Sequence, residues 1–416
     1  QRERSIGFDN DKELNLERAD ALDYYKGKHD GAIARDLPVP TGRSTVVSTE
    51  VANAVEAALP DIIEIFVAGD DVITFKPQGL EDVAAAQQES EYVRHIIFVQ
   101  NRGFFILYTM IKDALISKTG IVHFYWDGKA EYEEYQTTAS EPQIDEIVEM
   151  GNELITVEPT GTVTAQNFPL FHVTFRKQCS DGHVAIKNVA PEDFTVSPET
   201  IILADTDYCA MRSRRTRQWL IEEGYKKADV MKLDMSEDDD NERIARDAAE
   251  ENLDPQGSEG DKMMELVDIV VHYVRLDLDG TGEAQIWRIV TGNNEAIELD
   301  REKRARIEFA AITPYPMTHR FYGQSTADKT IQTQKWKTSI TRTANDHLYF
   351  ANNQRQEIKR AGIVPGVTIP QLTDNKPGQP VITEDGNSLR PIQNGSLGID
   401  VLALLGYISA DNEERT

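Results

Sequence analysis

Two stretches near the start of the chain carry apolar residues at helical spacing. Over 49–66 these positions recur every three or four residues, which predicts a helix. Pro60 lies inside this stretch and should bend or restart the helix, because proline cannot donate the backbone hydrogen bond. A longer run predicts a second helix over 80–119, with Gly120 as the residue that ends it.

Short runs of β-branched and aromatic residues, most of them beyond Gly120, predict a strand-rich region. Asp127-Gly128 and Asp277–Glu283 have the composition of hairpin turns. The predicted strands cover 72–75, 121–126, 162–166, 171–176, 183–188, 208–212, 266–276 and 284–290, with a helix near 218–233. The pattern as a whole predicts a mixed α+β protein.

The most informative pattern lies between 323 and 352, where a long helical run has few apolar positions. Threonine and glutamine fill much of this run. From Gly323 to Arg360 there are seven basic and three acidic residues, a net charge of +4. A helix this long and polar cannot be held by a globular core alone. We expect it to lie in a bundle or in a ring of identical helices; the alternative is a solvated helix between two domains.

The chain as a whole is strongly acidic. Its 416 residues include 44 basic and 71 acidic side chains, a net charge of −27. Affinity for DNA comes from lysine and arginine displacing counterions, so we expect sliding contact with DNA at most. Residues 236–262 alone contain eleven acidic and three basic residues and almost no large apolar ones, which predicts a solvated, mobile surface loop.

Motifs for catalysis or cofactor binding are not found in the sequence. There is no Walker A loop, no GxGxxG after a strand, no HExxH and no GxSxG. The eight histidines have no carboxylate or cysteine at a metal-ligand spacing, and Cys179 and Cys209 are too far apart for a CxxC pair. Neither a signal peptide nor an apolar stretch of about 20 residues is visible. We therefore expect no catalytic residues, no metal, no cofactor and no membrane contact.

Two clusters leave alternatives open. Asp277–Glu283 resembles the start of a calcium-binding loop, but its twelfth position is Arg288 instead of a glutamate, which favours a tight hairpin turn. The second cluster contains Arg212, Arg214, Arg215 and Arg217. These arginines could contact phosphate, or they could form salt bridges to neighbouring subunits or to the acidic loop. In so acidic a chain we favour the salt bridges.

The polar helix and several shorter stretches resemble the portal proteins of tailed bacteriophages, which connect head and tail. In the helical region the resemblance rests on Phe321-Tyr322-Gly323-Gln324-Ser325, Asp328, Ile331-Gln332, Lys337, Arg342, Asn345-Asp346, Leu348-Tyr349 and Asn352-Asn353. Elsewhere it rests, in the family's order, on Tyr24-Tyr25-Lys26-Gly27, Gly42-Arg43-Ser44, Phe75-Lys76-Pro77, Ile111-Lys112-Asp113-Ala114-Leu115, Gly120-Ile121, Val189–Phe194 and Asp277–Glu283. Each motif alone is weak, but their shared order spans most of the chain.

The resemblance implies a multidomain α+β subunit with a mixed α/β wing, long stem helices and a small clip that contains β-structure. On this sequence, 1–45 would be an N-terminal arm, 46–322 the wing with its acidic loop, 323–352 the first stem helix, 353–398 the clip and 399–416 the start of a second stem helix. A crown domain would follow Thr416 and is not expected within this chain.

The same resemblance implies a function without catalysis. Portal proteins form a dodecameric ring at one capsid vertex, and double-stranded DNA passes through its channel during packaging and ejection. The implied partners are further copies of the chain, the major capsid protein, terminase and head–tail adaptor proteins, in the virion and, during assembly, in the host cytoplasm. Candidates for channel or inter-subunit positions in the stem are Lys329, Lys335, Lys337 and Arg342; clip candidates for terminase or adaptor docking are Arg355, Lys359 and Arg360.

Three other hypotheses are compatible with the sequence. The chain could be another head–tail connector or a tail structural protein. It could be a metal-dependent nuclease that uses acidic residues such as Asp277 and Asp279, although such an enzyme needs carboxylates that converge on a metal site. It could also be an acidic mimic of nucleic acid that binds DNA-binding proteins.

Overall fold

The computed structural model describes residues 2–67, 73–128, 131–163, 169–180, 182–235, 246, 262–280, 282–292, 297–352, 356–358, 389–391, 404, 406–408 and 410. The helices are α1 (Arg2–Lys26), α2 (Gly31–Asp36), α3 (Glu50–Val67), α4 (Val83–Arg94), α5 (Gly103–Ser117), α6 (Glu141–Glu149), α7 (Arg217–Glu222), α8 (Lys227–Val230) and α9 (Thr326–Asn352). The strands are β1 (Gly120–Asp127), β2 (Glu131–Ser140), β3 (Glu153–Val163), β4 (Pro169–Ser180), β5 (His183–Val189), β6 (Phe194–Val196), β7 (Tyr208–Thr216), β8 (Leu266–Leu276), β9 (Gln285–Gly292), β10 (Ile297–Arg304), β11 (Phe309–Ile312), β12 (Gln356–Ile358) and β13 (Leu389–Pro391). The predicted α+β class is confirmed.

Within the described ranges the strands form four sheets, and all their pairings are antiparallel. Their orders are β11-β1-β5, β10-β9-β8-β7-β6, β2-β4-β3 and β12-β13. The first two sheets share one hydrophobic core, in which Phe194, Tyr273 and Phe309 pack edge to face. The third sheet and α6 form a mostly exposed unit with one apolar face, where Tyr135 stacks on Phe175.

A second core lies among the N-terminal helices. Val51, Leu59, Ile111 and Leu115 from α3 and α5 pack there with residues of α1 and α2. Ala327, in the first turn of α9, is fully buried in the same core. The long polar helix therefore starts inside the helical part of the protein and not on a separate linker.

The predicted helix over 80–119 is wrong as a single element. It is divided into α4, a π-helical turn at His95–Gln100 and α5, and Arg102 between them has a left-handed φ of 53°. The Asn101 side chain donates to the Val184 carbonyl at 2.8 Å and accepts from the Ile186 N–H at 2.9 Å, which ties the break to β5. The periodicity of apolar residues within one segment does not reveal hydrogen bonds to a distant strand.

The predicted stop at Gly120 is also wrong, because Lys118 ends α5 with a φ of 73° and Gly120 already lies in β1. Glycine is nevertheless required at position 120. A Cβ atom there would lie 1.9 Å from the Met110 carbonyl oxygen, so no other side chain fits without moving the backbone.

The strand predictions were confirmed where β-branched residues dominate, over 121–126, 171–176, 183–188, 208–212, 266–276 and 284–290. Residues 73–75 form no strand. Of the strand expected at 162–166, residues 162 and 163 are the end of β3, which begins at Glu153, and 164–166 lie outside the described residues. Asp127-Gly128 is not a hairpin turn, since β1 pairs with β5 and β11 while β2 pairs with β4. The helix expected near 218–233 is the pair α7 and α8. The acidic stretch 236–262 lies outside the described residues except for Arg246 and Lys262.

Candidate functional site

The start of α9 is fixed by a reciprocal pair of hydrogen bonds. The Ser325 N–H donates to the Asp328 carboxylate at 2.8 Å, and the Asp328 N–H donates to Ser325 Oγ at 3.0 Å, which caps the free N–H groups of the first turn. Lys118 at the end of α5 pairs with Asp328 at 3.5 Å and with Glu17 of α1. The helix thus begins at Thr326, three residues later than predicted, and its first turn is bound to α1 and α5.

One face of α9 is buried although it is polar. Thr330, Gln334, Thr338 and Arg342 are all buried, and they recur every fourth residue, so that they lie on the same side of the helix. Buried polar groups need hydrogen-bond partners. Thr330 donates to the Thr326 carbonyl of its own helix at 2.9 Å. The partners of Gln334, Thr338 and Arg342 include main-chain groups of the N-terminal segment.

The contacts run along the segment 44–51 in the opposite direction to α9. Gln334 accepts from the Val51 N–H at 2.8 Å, Thr338 accepts from the Ser48 N–H at 3.1 Å, Arg342 donates to the Val46 carbonyl at 2.8 Å and Asp346 accepts from the Ser44 N–H at 2.8 Å. Four residues of a helix rise about 6 Å, and two residues of an extended chain span about 6.6 Å. The two spacings match from Ser48 to Ser44, where successive partners are two residues apart, whereas Val51 and Ser48 are three residues apart. We call this set of contacts the arm ladder.

Two residues extend the arm ladder to the helices before it. Gln334 also donates from its amide nitrogen to the Tyr24 carbonyl at 2.9 Å, so it joins the end of α1 to the start of α3. Arg342 also donates to the Leu37 carbonyl at 2.9 Å and to His29 Nδ1 at 3.1 Å. Burial lowers the pKa of the Arg342 guanidinium. These contacts hold residues 24–51 against one helix face.

The stem residues selected from the sequence all contact groups of their own subunit. Lys335 pairs with Asp36 at 2.7 Å, and Lys337 pairs with Glu50 at 2.5 Å. The Lys329 ammonium lies 3.2 Å from the centre of the Tyr315 ring. Arg342 is held in the arm ladder. Whether any of the four also faces a channel or a neighbouring subunit stays a prediction.

The clip candidates Arg355, Lys359 and Arg360 lie outside the described residues. The structure does describe β12 and β13, which pair between Gln356 and Pro391 and between Ile358 and Leu389. The region predicted as a clip therefore contains a two-stranded antiparallel sheet, and β-structure was expected there.

The opposite face of α9 is exposed and uncharged. Gln332, Trp336, Ser339 and Thr343 recur at intervals of four and three residues along it. The Trp336 side chain is 65% exposed. The sequence pattern shows polar residues all around this helix. In the structure one face is buried and hydrogen-bonded, and the opposite face is exposed.

The arginine cluster lies on β7 and at the start of α7, and it forms ion pairs. Salt bridges were favoured from the sequence, although with neighbouring subunits or the acidic loop as the partners. Arg212 pairs with Asp193 at 3.1 Å, Arg214 pairs with Asp268 at 3.3 Å and Arg217 pairs with Glu265. Arg215 lies over the Trp219 ring. Three of the four contribute to the lining of a cleft of about 980 Å³ that is also lined by carboxylates. These ion-pair partners are carboxylates of the same subunit outside residues 236–262, and Arg217 also donates to the Lys262 carbonyl, at the end of the acidic stretch, at 3.1 Å.

The calcium-like segment is a hairpin turn. It joins β8 and β9, whose last pair is Leu276 and Gln285. The Gly282 N–H donates to the Asp277 carboxylate at 2.8 Å, and Gly280 and Gly282 both have positive φ. The described part of the chain contains no group of three His, Cys, Asp or Glu side chains arranged to hold a metal ion.

The buried titratable side chains of the central sheets serve packing. His272 lies between the Tyr208 hydroxyl at 3.1 Å and the Thr291 hydroxyl at 2.8 Å. His123 stacks on Phe309, and burial, assisted by nearby cations, lowers its pKa to about 4. Cys209 is buried and free, and burial raises the pKa of its thiol. None of the described helices is both long and apolar enough to cross a bilayer.

These features define a class of protein: an α+β protein whose long polar helix is held by its own N-terminal segment. Comparison with protein families identifies the particular family. The chain matches the family model described as phage SU10 portal protein over residues 1–416, and it therefore belongs to this family of phage portal proteins. The resemblance predicted from the sequence is confirmed, and with it a structural head-to-tail connector. No curated protein matches the chain.

Proposed function

We propose that this chain forms the portal ring at one capsid vertex, through which double-stranded DNA is packaged and later ejected. The observation that carries the proposal is the family match over all 416 residues. The ring is proposed to be dodecameric and non-enzymatic. Its proposed partners are the major capsid protein, terminase and then head–tail adaptors, with assembly in the host cytoplasm and final location in the virion.

The charge distribution supports this function. A subunit with a net charge of −27 repels the phosphate backbone, so a ring of such subunits lets DNA move without holding it. The domain mapping proposed from the sequence places the ring's stem at α9. The arm ladder supports this mapping, because it gives the helix a rigid attachment to the wing side of the subunit.

Electron microscopy of the purified chain tests the proposal. Negative-stain images should show closed rings with a central hole wide enough for duplex DNA, and mass photometry should show one dominant oligomer. A chain that stays monomeric until a separate portal ring is added would instead be an adaptor or tail component. Magnesium-dependent DNA cleavage that is lost in an Asp277→Asn, Asp279→Asn variant would favour the nuclease hypothesis and contradict the proposal.

A further inference from the structure

A cleft of about 980 Å³ is lined by both of the sheets that share the central core. Strands β1 and β5 line one side, and β7 to β10 line the other together with α7. Small-molecule sites in proteins have volumes of roughly 300–1,000 Å³. The cleft is therefore large enough for a ligand, and its eight basic and seven acidic side chains indicate a polar one. We call it the arginine cleft, after Arg212, Arg214, Arg215, Arg288, Arg301 and Arg304 in its lining.

Most of the arginines in the cleft already have carboxylate partners. Arg288 pairs with Asp300 and with Glu302, each at 3.3 Å. The other paired arginines have carboxylate partners at 2.5–3.4 Å, and they are Arg212, Arg214, Arg301 and Arg304. An arginine and a carboxylate in direct contact cancel most of each other's charge, so these five arginines leave little attraction for an added anion.

Three cations of the cleft have no carboxylate partner among the residues that the structure describes: Lys187, Arg215 and Lys226. The Arg215 guanidinium lies 5.1 Å from the centre of the Trp219 ring. The Lys187 ammonium lies 5.1 Å from the centre of the Tyr125 ring and donates to its hydroxyl. A shortage of carboxylates does not explain these contacts, because the chain has a net charge of −27. The three cations therefore remain available for an external anion.

Arg215 has the geometry of an anion-binding arginine. Strand alternation places it on the same side of β7 as Met211, which packs against the central core, so its side chain points towards the cleft. Trp219 covers one face of the guanidinium, whereas the N–H groups lie in the plane of that group and point away from its edge. Within the described ranges these N–H groups have no hydrogen-bond partner. A guanidinium held in this way can bind two oxygen atoms of one anion at once.

The number of unmatched cations favours a ligand with more than one negative charge. Asp127 and Glu223 also line the cleft, but both interact with other groups of the protein. A carboxylate ligand carries one charge, whereas a terminal phosphate group carries about 1.5–2 negative charges on three oxygens. Arginine binds such a group through its planar fork, and lysine binds it as a point charge. DNA is a poorer candidate, because a net charge of −27 repels an extended polyanion more than a compact anion.

We propose that the arginine cleft binds a small ligand with two or more linked phosphate groups, held by Arg215, Lys187 and Lys226. The phosphate chain is that of inorganic pyrophosphate or of a nucleoside polyphosphate, because both present the same oxygens. The three residues belong to β5, to β7 and to the connection between α7 and α8, and none belongs to α9 or to the arm ladder. The inference goes beyond the proposed ring and does not depend on it.

Calorimetric titration with inorganic pyrophosphate tests the site on the purified full chain, in magnesium-free buffer of low ionic strength. Arg215→Gln should weaken binding by about tenfold or more, because it removes hydrogen bonds to a charged group. Lys226→Gln should weaken it by about two- to fivefold, as for an exposed ion pair. Lys303→Gln is the matched control, because Lys303 is exposed on β10 and does not line the cleft; it should bind as the wild type does. Circular dichroism and melting should be unchanged in all three variants, since none of the replaced side chains has a described hydrogen bond.

Two further titrations identify the form of the ligand. ATP that binds more tightly than pyrophosphate identifies a nucleotide, and equal or weaker binding identifies the phosphate chain alone; both outcomes support the proposal. A tetraglutamate peptide that binds more tightly than pyrophosphate would overturn the phosphate assignment. The proposal also fails if neither phosphate ligand gives heat of binding or a change in tryptophan fluorescence at millimolar concentration, or if Arg215→Gln binds pyrophosphate as tightly as the wild type. Ring formation in the electron microscope is a separate result, so either proposal can fail alone.

Discussion

Gln334 offers the sharpest test of the arm ladder, because its side chain is fully buried and both ends of its amide are bonded to other helices. The oxygen accepts from the Val51 N–H at 2.8 Å, in the first turn of α3. The nitrogen donates to the Tyr24 carbonyl at 2.9 Å, in the last turn of α1. Groups at these positions have no partner within their own helices, so one side chain satisfies two helix ends.

Gln334→Leu keeps roughly the same volume and removes both hydrogen bonds. It leaves one buried N–H and one buried C=O without a partner, each at a cost of about 1–3 kcal/mol. We therefore expect the free energy of unfolding to fall by about 2–5 kcal/mol. The loss should concentrate at the start of α3 and the end of α1, where the orphaned groups lie.

Urea unfolding at one fixed protein concentration measures the total loss, and amide hydrogen exchange measures where it occurs. Gln332→Leu is the control, because Gln332 lies on the exposed face of the same helix and should change stability by less than about 0.5 kcal/mol. Exchange at Val51 should accelerate in the Gln334 variant alone. Equal stability of the two variants would refute the double-capping role of Gln334.

Three further predictions follow from individual contacts. Arg246 is the only described residue between the ends of the acidic stretch, and its guanidinium donates to the buried Glu192 carboxylate at 3.0 and 3.1 Å. Arg246→Met leaves this carboxylate without both contacts, so stability should fall by about 2–3 kcal/mol. Adding Glu192→Gln to the same chain should recover part of the loss in a double-mutant cycle. Burial lowers the pKa of His123 to about 4, whereas the same imidazole in the unfolded chain protonates near pH 6.5. Stability is therefore lost as the pH falls through this window. In urea titrations, wild type should lose about 2 kcal/mol more than His123→Phe between pH 7 and pH 5. Gly120→Ala forces a Cβ atom to 1.9 Å from a carbonyl oxygen of α5 and should cost about 2–4 kcal/mol in thermal unfolding. Gly128→Ala, whose nearest neighbour would be Trp126 Nε1 at 4.0 Å, should cost less than about 1 kcal/mol, and equal effects would contradict the close approach at position 120.

The elements that the sequence predicts well are those whose pattern is local. α3 carries a helical period of apolar residues, and β8 is a run of β-branched residues, so each can be recognised without knowing its neighbours. The division of the 80–119 helix depends on Asn101 bonding β5, some 85 residues further along the chain. No property of the residues around position 101 reveals that partner.

The sequence predicted where the polar helix lies, but not which groups its polar side chains contact. The polar helix was expected over 323–352, and its polarity was taken as evidence for neighbours in a bundle or in a ring of identical helices. The structure assigns that polarity differently, because Thr338 and Gln334 satisfy main-chain groups of residues 44–51 in the same subunit. The spacing of Gln334, Thr338, Arg342 and Asp346 by four residues was the available signal. This spacing predicts the contact only together with the matching spacing of an extended segment nearly 300 residues earlier in the chain.

The two faces of α9 therefore differ in what they contact. The buried face is committed to the arm, since its hydrogen-bonding groups are satisfied by main-chain partners that do not depend on the arm's side chains. Contacts with other molecules along α9 can use the exposed face that carries Trp336, in addition to the proposed lysines Lys329, Lys335 and Lys337.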